Sequence, residues 1–584
     1  MLIPWQIGNT SVRTPYRLRE ALKALKPSEF HGNLLGKENE QGFAELLDEQ
    51  GVVRLDRKES GKDASDLGRK WRSALGQLGF VVMHLKKGQK QGIDPELEPF
   101  VHDIRNLTGR PYEITPNGYR LMNAESVAQQ QECFLRALVA YRIPSILEPR
   151  YKFAPFSPLR FVLEILLGLE KTGEEPYIQY EEMALIVQCR TPVDGIEHVM
   201  KEIIKYRAER NKAANKRNFF SSMLIESVGG DQAKAGTRRD YADLNFRYLK
   251  ATGLLHSKGR AVTILPEKHT LVELMVSEAE EPYDDLTYVK NLWNGAKLPT
   301  DDRIKALEII DNLLRQLAQY NEEVVIKDIK SKNEEELSQI RCRLEDHLQH
   351  IKEREFADSQ SEAWRDIVKT LETFNASRRP IIVLNDTVIN IPGGEMPAYF
   401  EWAIWRAFLA VDSLENMPWE ARKFKIDQDF FPLSHAPSRG PDMVFVFEEY
   451  VLVVEVTLTT SSRQEAVEGE PVRRHVAEIA VQFENTDKRV YCMFIALNID
   501  SNTAETFKSG YWYKKDDTKL PLQIVPVALD DFVELFKAGF ESNKLSPEKI
   551  LQLLLECRAL SNLDAPEWKR KIGVEIKRLI SKWK

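Results

Sequence analysis

The sequence predicts a multidomain α+β protein: two helix–hairpin modules, a helical linker and a C-terminal α/β domain. Three observations carry this reading. At 584 residues the chain is several times the usual domain size. A basic helix followed by short β-forming runs and turn residues occurs twice in the N-terminal half. From Arg379 onward the runs IIVL, VFVF, VLVVEVTL, VYCMFIAL and LQIVPVAL are interleaved with helical patterns, as in a separate α/β domain. The boundaries follow as modules over residues 1–145 and 146–297, a linker over 298–380 and the α/β domain over 381–584.

Composition excludes several classes. With 43% hydrophobic and 29% charged residues, the chain reads as a soluble globular protein. No segment approaches the roughly 18 uninterrupted apolar residues of a membrane helix, so no membrane association is expected. The opening MLIPWQIGNTSVRTPYRLRE lacks the basic start and apolar stretch of a secretory signal, which points to the cytoplasm. The five cysteines, Cys133, Cys189, Cys342, Cys492 and Cys557, lie far apart without a Cys-x-x-Cys pair, against a zinc site or disulfide framework. A net charge of −7 leaves any phosphate-binding surface to local patches.

In the first module, DLGRKWRSALGQL predicts a helix over 66–78 that stops at Gly79. A strand FVVMHL follows, then a strand start and a turn at Pro116, Asn117 and Gly118 in YEITPNGYRLM. In the second, RDYADLNFRYLKATGLLHSKGRAVTIL repeats the order: a basic helix ending at Gly253, a strand at 254–255, a turn at Lys258 and Gly259, and a strand over 261–265. A basic helix leading into a β-hairpin is the outline of a winged helix, in which one helix reads a DNA groove; a solvated surface helix beside a hairpin has the same outline. Between the two, KEIIKYRAERNKAANKRNFF concentrates Lys201, Lys205, Arg207, Arg210, Lys212, Lys216 and Arg217 near Tyr206, Phe219 and Phe220, as a phosphate-tracking surface requires. Candidate DNA contacts, by helix and charge only, are Arg69, Lys70, Arg72, Lys212, Lys216, Arg217, Arg238, Arg239 and Arg247.

The linker is rich in Glu, Lys, Gln and Arg. Leu and Ile recur at 304, 307, 310, 314 and 317 and again at 337, 340, 344, 348 and 351, the spacing of two amphipathic helices. Residues 324–336 are expected to join them as an αα-hairpin or short coiled pair.

The chemical centre is expected in RGPDMVFVFEEYVLVVEVTL, where two β-forming runs meet at Glu448 and Glu449. If the hairpin is centred between those glutamates, Asp442 and Glu455 are equidistant from the centre and face one another. Opposed residues on antiparallel strands have Cβ atoms about 4.5–5.5 Å apart, so both carboxylates reach one divalent cation. Glu-Glu is not a favoured tight-turn pair, so a loop longer than two residues is expected. Two facing acids are costly unless a cation or proton compensates; the alternative reading is exposed acids on an edge strand. Oxygen-only ligands favour Mg²⁺ or Mn²⁺ over zinc, the cation class that serves phosphodiester hydrolysis. Glu401, in the aromatic-rich helix YFEWAIWRAFLAV, has neighbours that point to a core. Glu468 precedes Pro471, a first-turn helix residue, and capping alone explains one of Glu468 and Glu470. Arg473, Arg474 and His475 follow, offering phosphate contacts and a proton donor.

FEWAIWRAFL, then GPDM, then VEVTLTTSSRQEAVEGEPVRRH together resemble the cleavage domain of the AlwI family of type IIS restriction endonucleases, which includes nicking relatives. The similarity extends through LGFV, YEITPNGYRL and RYLKATGLL, and so over most of the chain. The resemblance implies a PD-(D/E)xK-type domain with Asp442 and Glu455 as metal ligands, Glu401 supporting the site, Glu468 completing it, and His475 matching the family's histidine. It implies Mg²⁺, with Mn²⁺ as a substitute, double-stranded DNA as substrate, an asymmetric site of the 5′-GGATC or 5′-GAGTC kind, and a cognate DNA methyltransferase as genetic partner. Cutting both strands then calls for a transient homodimer or a second subunit, and strand-specific nicking is the alternative. Where the wider superfamily has lysine, two residues past the second acid, this chain has Thr457, on the same strand face as Glu455. Thr457 carries no charge, which leaves lysine's task to Glu468, His475 or a second metal; a two-metal arrangement is the preferred expectation. A DNA-binding regulator with a decayed C-terminal domain is the competing class, which the presence of all four acids argues against.

Overall fold

The structure, a computed structural model, describes residues 3–53, 55, 63–83, 112–278, 284–377, 379–384, 387–391, 394–411, 413–437, 440–460 and 462–583. The chain forms two compact units, Met1–Leu348 and Gln349–Lys584. The boundary falls inside the helix Glu334–Asp358, so the region predicted as a linker supplies helices to both units. Helices dominate, and among the described residues the strands form four small sheets. No helix of the described residues is long and apolar enough to cross a membrane.

In the N-terminal unit the expected basic helix forms as Ser65–Gln77, burying Trp71, Ala74 and Leu75. Gly79 ends it at φ +71°, with a Cβ there falling 2.5 Å from the Leu292 carbonyl oxygen, so the glycine answers both a backbone and a packing need. The rest of the first copy departs from expectation. FVVMHL contributes only an isolated bridge between Val81 and Ile114, and His84 and Leu85 lie outside the described residues. The predicted turn at Pro116, Asn117 and Gly118 is instead the first turn of a helix, Pro116–Asn123. Proline's fixed φ suits that position as well as it suits a turn, and Thr115 decides the outcome by accepting from the Gly118 N–H as N-cap (3.1 Å).

The second copy keeps the expected plan. The helix Gln232–Lys250 leads into β2 (Leu255–Lys258) and β3 (Ala261–Ile264), an antiparallel hairpin, and β1 (Tyr177–Gln179) pairs with the other edge of β3. The helix Tyr180–Leu185 follows β1 directly and packs on Gln232–Lys250. The intervening basic stretch forms two helices, Ile196–Lys212 and Lys216–Ser227, separated at Asn215, whose side chain caps the second. The linker helix Arg303–Gln319 buries Ala306, Ile309, Ile310, Leu313 and Leu317. Ile304, expected in that stripe, is 80% exposed because it lies in the first turn after the Asp302 cap.

Besides two small antiparallel pairs, β4 (Ile381–Leu384) with β5 (Thr387–Asn390) and β9 (Tyr511–Tyr513) with β10 (Lys519–Pro521), the C-terminal unit is built on a four-stranded sheet in the order β11 (Ile524–Ala528), β8 (Arg489–Ala496), β7 (Tyr450–Thr457), β6 (Met443–Val446). β6 and β7 are antiparallel, whereas β7, β8 and β11 are parallel. The crossover from β7 to β8 is the helix Glu470–Gln482. The helix Met396–Leu409 is buried at every residue from Ala398 to Leu409 and joins the sheet in one hydrophobic core. The hairpin is centred as expected, with Met443 opposite Val454 and Val446 opposite Val451. The longer loop is not found: Phe447 donates to the Tyr450 carbonyl (2.9 Å), leaving only Glu448 and Glu449 to turn the chain. A tilted contact between the Phe447 and Tyr450 rings, centroids 5.0 Å apart, holds the ends together, and neither glutamate needs a positive φ.

Candidate active site

Continuing the β6–β7 register by one pair places Asp442 opposite Glu455. Asp442 Oδ2 accepts from the Val456 N–H (2.8 Å), which ties the carboxylate to the facing strand and fixes its direction. Glu455 Oε1 lies 2.8 Å from His475 Nδ1 on the crossover helix, so the imidazole orients the second acid. Glu401 projects from the buried helix Met396–Leu409, and its Oε2 accepts from the Ala436 N–H (2.7 Å). Glu468 stands in a π-helical turn, Glu465–Gly469, that runs directly into the crossover helix. Pro471 is in the first turn of that helix, as predicted.

The structure thus gathers all four predicted acids, and each titrates above its ordinary range. For Glu401 burial is the largest cause, followed by the charge of Asp442. Burial leads for Asp442 too, with Glu455 next, and for Glu455, with Glu468 next. Burial also raises Glu468, against the Thr457 hydrogen bond and the His475 charge. Among the described residues none of the four is ion-paired with lysine or arginine; the single ionisable partner is His475. Such a cluster of buried like charges is unstable unless protons or a cation neutralise it. The donors are all carboxylate oxygens, which suits a hard divalent cation. The fit is one of donor type and charge: among the described residues no three His, Cys, Asp or Glu side chains already form a metal cage.

The family pattern of the AlwI restriction endonucleases matches residues 77–535, well over half of the chain. The chain belongs to the AlwI restriction endonuclease family. It is therefore a type II restriction enzyme, a DNA-binding endonuclease of a group that generally uses divalent metal ions. Among solved structures it is similar to the small subunit (R.BspD6I2) of the heterodimeric restriction endonuclease R.BspD6I. The two are 23% identical over 36% of this chain and 98% of that one, with a TM-score of 0.28. Comparison with curated proteins gave no match.

In this AlwI-family chain the predicted basic residues are sorted by their partners. Arg69 and Lys70 are both held by Asp66 on their own helix, and Arg72 by Glu40 and the Tyr112 ring. Arg238 is turned inward, its guanidinium on Ser227 Oγ (2.8 Å), and is withdrawn as a DNA contact: a helix face that reads as basic in sequence is here a packing face. Arg247 pairs with Asp243, while Arg239 lies over the Phe220 ring. Arg207 and Arg210 are tied to Glu182 and Glu181, and Tyr206 is buried. Lys212, Lys216 and Arg217 are exposed at the break between two helices. Sequence reasoning missed the backbone donors Val456 and Ala436, which carry no side-chain signal. It also missed Gln464.

Proposed function

We propose that this chain is a Mg²⁺-dependent type IIS endonuclease, Mn²⁺ substituting, that binds a short asymmetric site on double-stranded DNA and hydrolyses phosphodiester bonds to one side of it. The observation that carries the reading is a cluster of four acids, Glu401 and Glu455 buried and Asp442 and Glu468 half-buried, without a lysine or arginine partner among the described residues, on an antiparallel hairpin followed by a parallel crossover. That order of elements supports a PD-(D/E)xK-type domain. Asp442 and Glu455 hold the metal, with Glu401 and Glu468 completing its surroundings. A divalent ion held there would supply an acidified water and charge compensation for the phosphate and leaving oxygen. The Val456 and Ala436 amides fix Asp442 and Glu401, and His475 orients Glu455. Thr457 Oγ1 accepts from the Thr459 N–H and carries no charge, so lysine's task falls to other groups, which fits the two-metal arrangement.

DNA recognition falls to the N-terminal unit. The order of β1, the helix Tyr180–Leu185, the helix Gln232–Lys250 and the β2–β3 hairpin supports a winged-helix-like module over 146–297, with two further helices inserted before Gln232–Lys250. Support for a second such module over 1–145 is limited to the helix Ser65–Gln77. Lys212, Lys216 and Arg217 are the phosphate contacts best placed to act, and the chain works in the cytoplasm beside a cognate methyltransferase. One acidic centre per chain cuts one strand, which favours nicking as the second reading; a duplex break needs a transient homodimer or a second subunit.

The test is cleavage of supercoiled plasmid with Mg²⁺ by the chain and by Asp442→Ala, with the cut ends sequenced. Mg²⁺-dependent cutting lost in the variant is expected, and the ends give site, offset and strandedness. Specific binding with no cutting by either protein would establish a non-catalytic regulator instead.

A further inference from the structure

Gln464 stands, fully buried, at the head of the π-helical turn that carries Glu468. Its amide is used on both sides. Nε2 donates to the Thr459 carbonyl (2.6 Å) and the Asn498 carbonyl (2.9 Å), and Oε1 accepts from the Asp500 N–H (2.9 Å). These partners belong to the segments leaving β7 and β8, so one side chain clamps the exits of two neighbouring parallel strands. Asp500 in turn caps the helix Ser501–Ser509 by accepting from Asn502 and Thr503. From that helix Thr506 Oγ1 donates to Glu465 Oε1 (3.2 Å), gripping the π turn farther along. On the other side, Thr459 N–H donates to Thr457 Oγ1 (3.1 Å), at the end of β7 and two residues past Glu455. One side chain therefore holds both the turn that carries Glu468 and the end of the strand that carries Glu455.

A π turn is rare and occurs mostly as a single turn at functional sites, where surrounding contacts sustain it. Only an amide supplies two donors and an acceptor in this geometry; a carboxylate would face two carbonyls with no hydrogen to offer. We propose that Gln464 is a positioning residue of the active centre: without touching substrate, it holds the π turn so that Glu468 is presented beside Asp442 and Glu455. The proposal rests on the nuclease reading and assigns Glu468's placement to a residue outside the acidic cluster.

The experiment compares the full chain with Gln464→Met, Glu468→Gln and the double variant. Three quantities are measured: single-turnover plasmid cleavage, DNA binding with Ca²⁺, and the rise in melting temperature on adding Mg²⁺. Gln464→Met is expected to slow cleavage by about 10–100-fold, as for residues that orient metal ligands, with DNA affinity unchanged and a smaller Mg²⁺-induced rise. The double variant should be no slower than Glu468→Gln alone, because both changes disable the same group. Multiplying penalties, or cleavage by Gln464→Met at the parent rate while Glu468→Gln is impaired, overturns the proposal and leaves the nuclease reading standing. A parent chain that never cuts with Mg²⁺ overturns the nuclease reading and this proposal with it. Should Gln464→Met fail to fold, Thr506→Val releases the same turn at its other hold and meets the same criterion of non-multiplying effects with Glu468→Gln.

Discussion

The basic surface of the N-terminal unit and the acidic centre of the C-terminal unit treat charge in opposite ways. Arg69, Lys70, Arg72, Arg207, Arg210 and Arg247 are each matched by a carboxylate, and Lys212, Lys216 and Arg217 stand in solvent. Glu401 and Glu455 are buried, Asp442 and Glu468 are half-buried, and among the described residues the four meet one another instead of lysine or arginine. Exposed charges near the surface are cheap and carry little information one by one. Buried like charges are costly, so their persistence marks chemistry. On the proposed reading the contrast also separates the jobs: the surface would supply affinity that salt screens, and the interior a reaction that salt barely touches.

The largest expected effect lies on the acidic side. Asp442→Ala or Glu455→Ala should lower the single-turnover cleavage rate on the order of 10³-fold while leaving Ca²⁺-supported DNA binding within error. Equal loss of binding and cutting would erase the division of labour. On the basic side, Lys216→Ala with Arg217→Ala should weaken binding to all DNA sequences alike and reduce the salt slope of affinity by about 2; an unchanged slope removes these residues from the phosphate surface.

Stability sharpens the comparison further. A carboxyl whose folded-state pKa is raised contributes stability that is fully present below its unfolded pKa and is lost as pH rises through the folded value. The metal-free chain should therefore become less stable as pH climbs from the ordinary carboxylate range through the raised values of the four acids, and Mg²⁺ should flatten that decline. Melting curves across pH with and without Mg²⁺ decide the matter; parallel declines would show that the acids do not share a cation. Asp442→Asn keeps an acceptor for the Val456 N–H and removes one buried charge, so it should raise the metal-free melting temperature at pH 8 by about 2–4 °C, the shift that ~1 kcal/mol gives in a unit of this size. The smallest change belongs to Arg69→Ala, which loses an exposed pair with Asp66 and should stay within about 0.5 kcal/mol in urea unfolding.

How much of this was legible in sequence differs residue by residue. The β6–β7 register could be read because the strand period of two leaves a hairpin centre few options, and it correctly brought Asp442 to Glu455. Glu401 and Glu468 needed the family resemblance, since they arrive from a helix and a π turn far from the hairpin. The Pro116, Asn117 and Gly118 turn failed because those residues serve a helix start equally well once Thr115 caps it. Arg238 failed because charge on a helix says nothing about which face packs. Gln464 was invisible: an isolated glutamine among polar residues has no period, and its worth appears only when Thr459, Asn498 and Asp500 are brought around it.

The helix Met396–Leu409 is enclosed along almost its whole length, and Glu401 rides on it. Amides in such an element exchange with solvent only when the entire unit opens, whereas fraying ends and surface loops exchange through small local openings. One member of the acidic centre is thereby tethered to the slowest-opening part of its unit. A partly opened molecule, in a warm cell or on a nascent chain, would lose its peripheral helices before it released that glutamate, and a chain that had not yet closed its core would have no complete centre. For a protein whose reaction is the breaking of DNA, competence to cut and completion of folding become the same event.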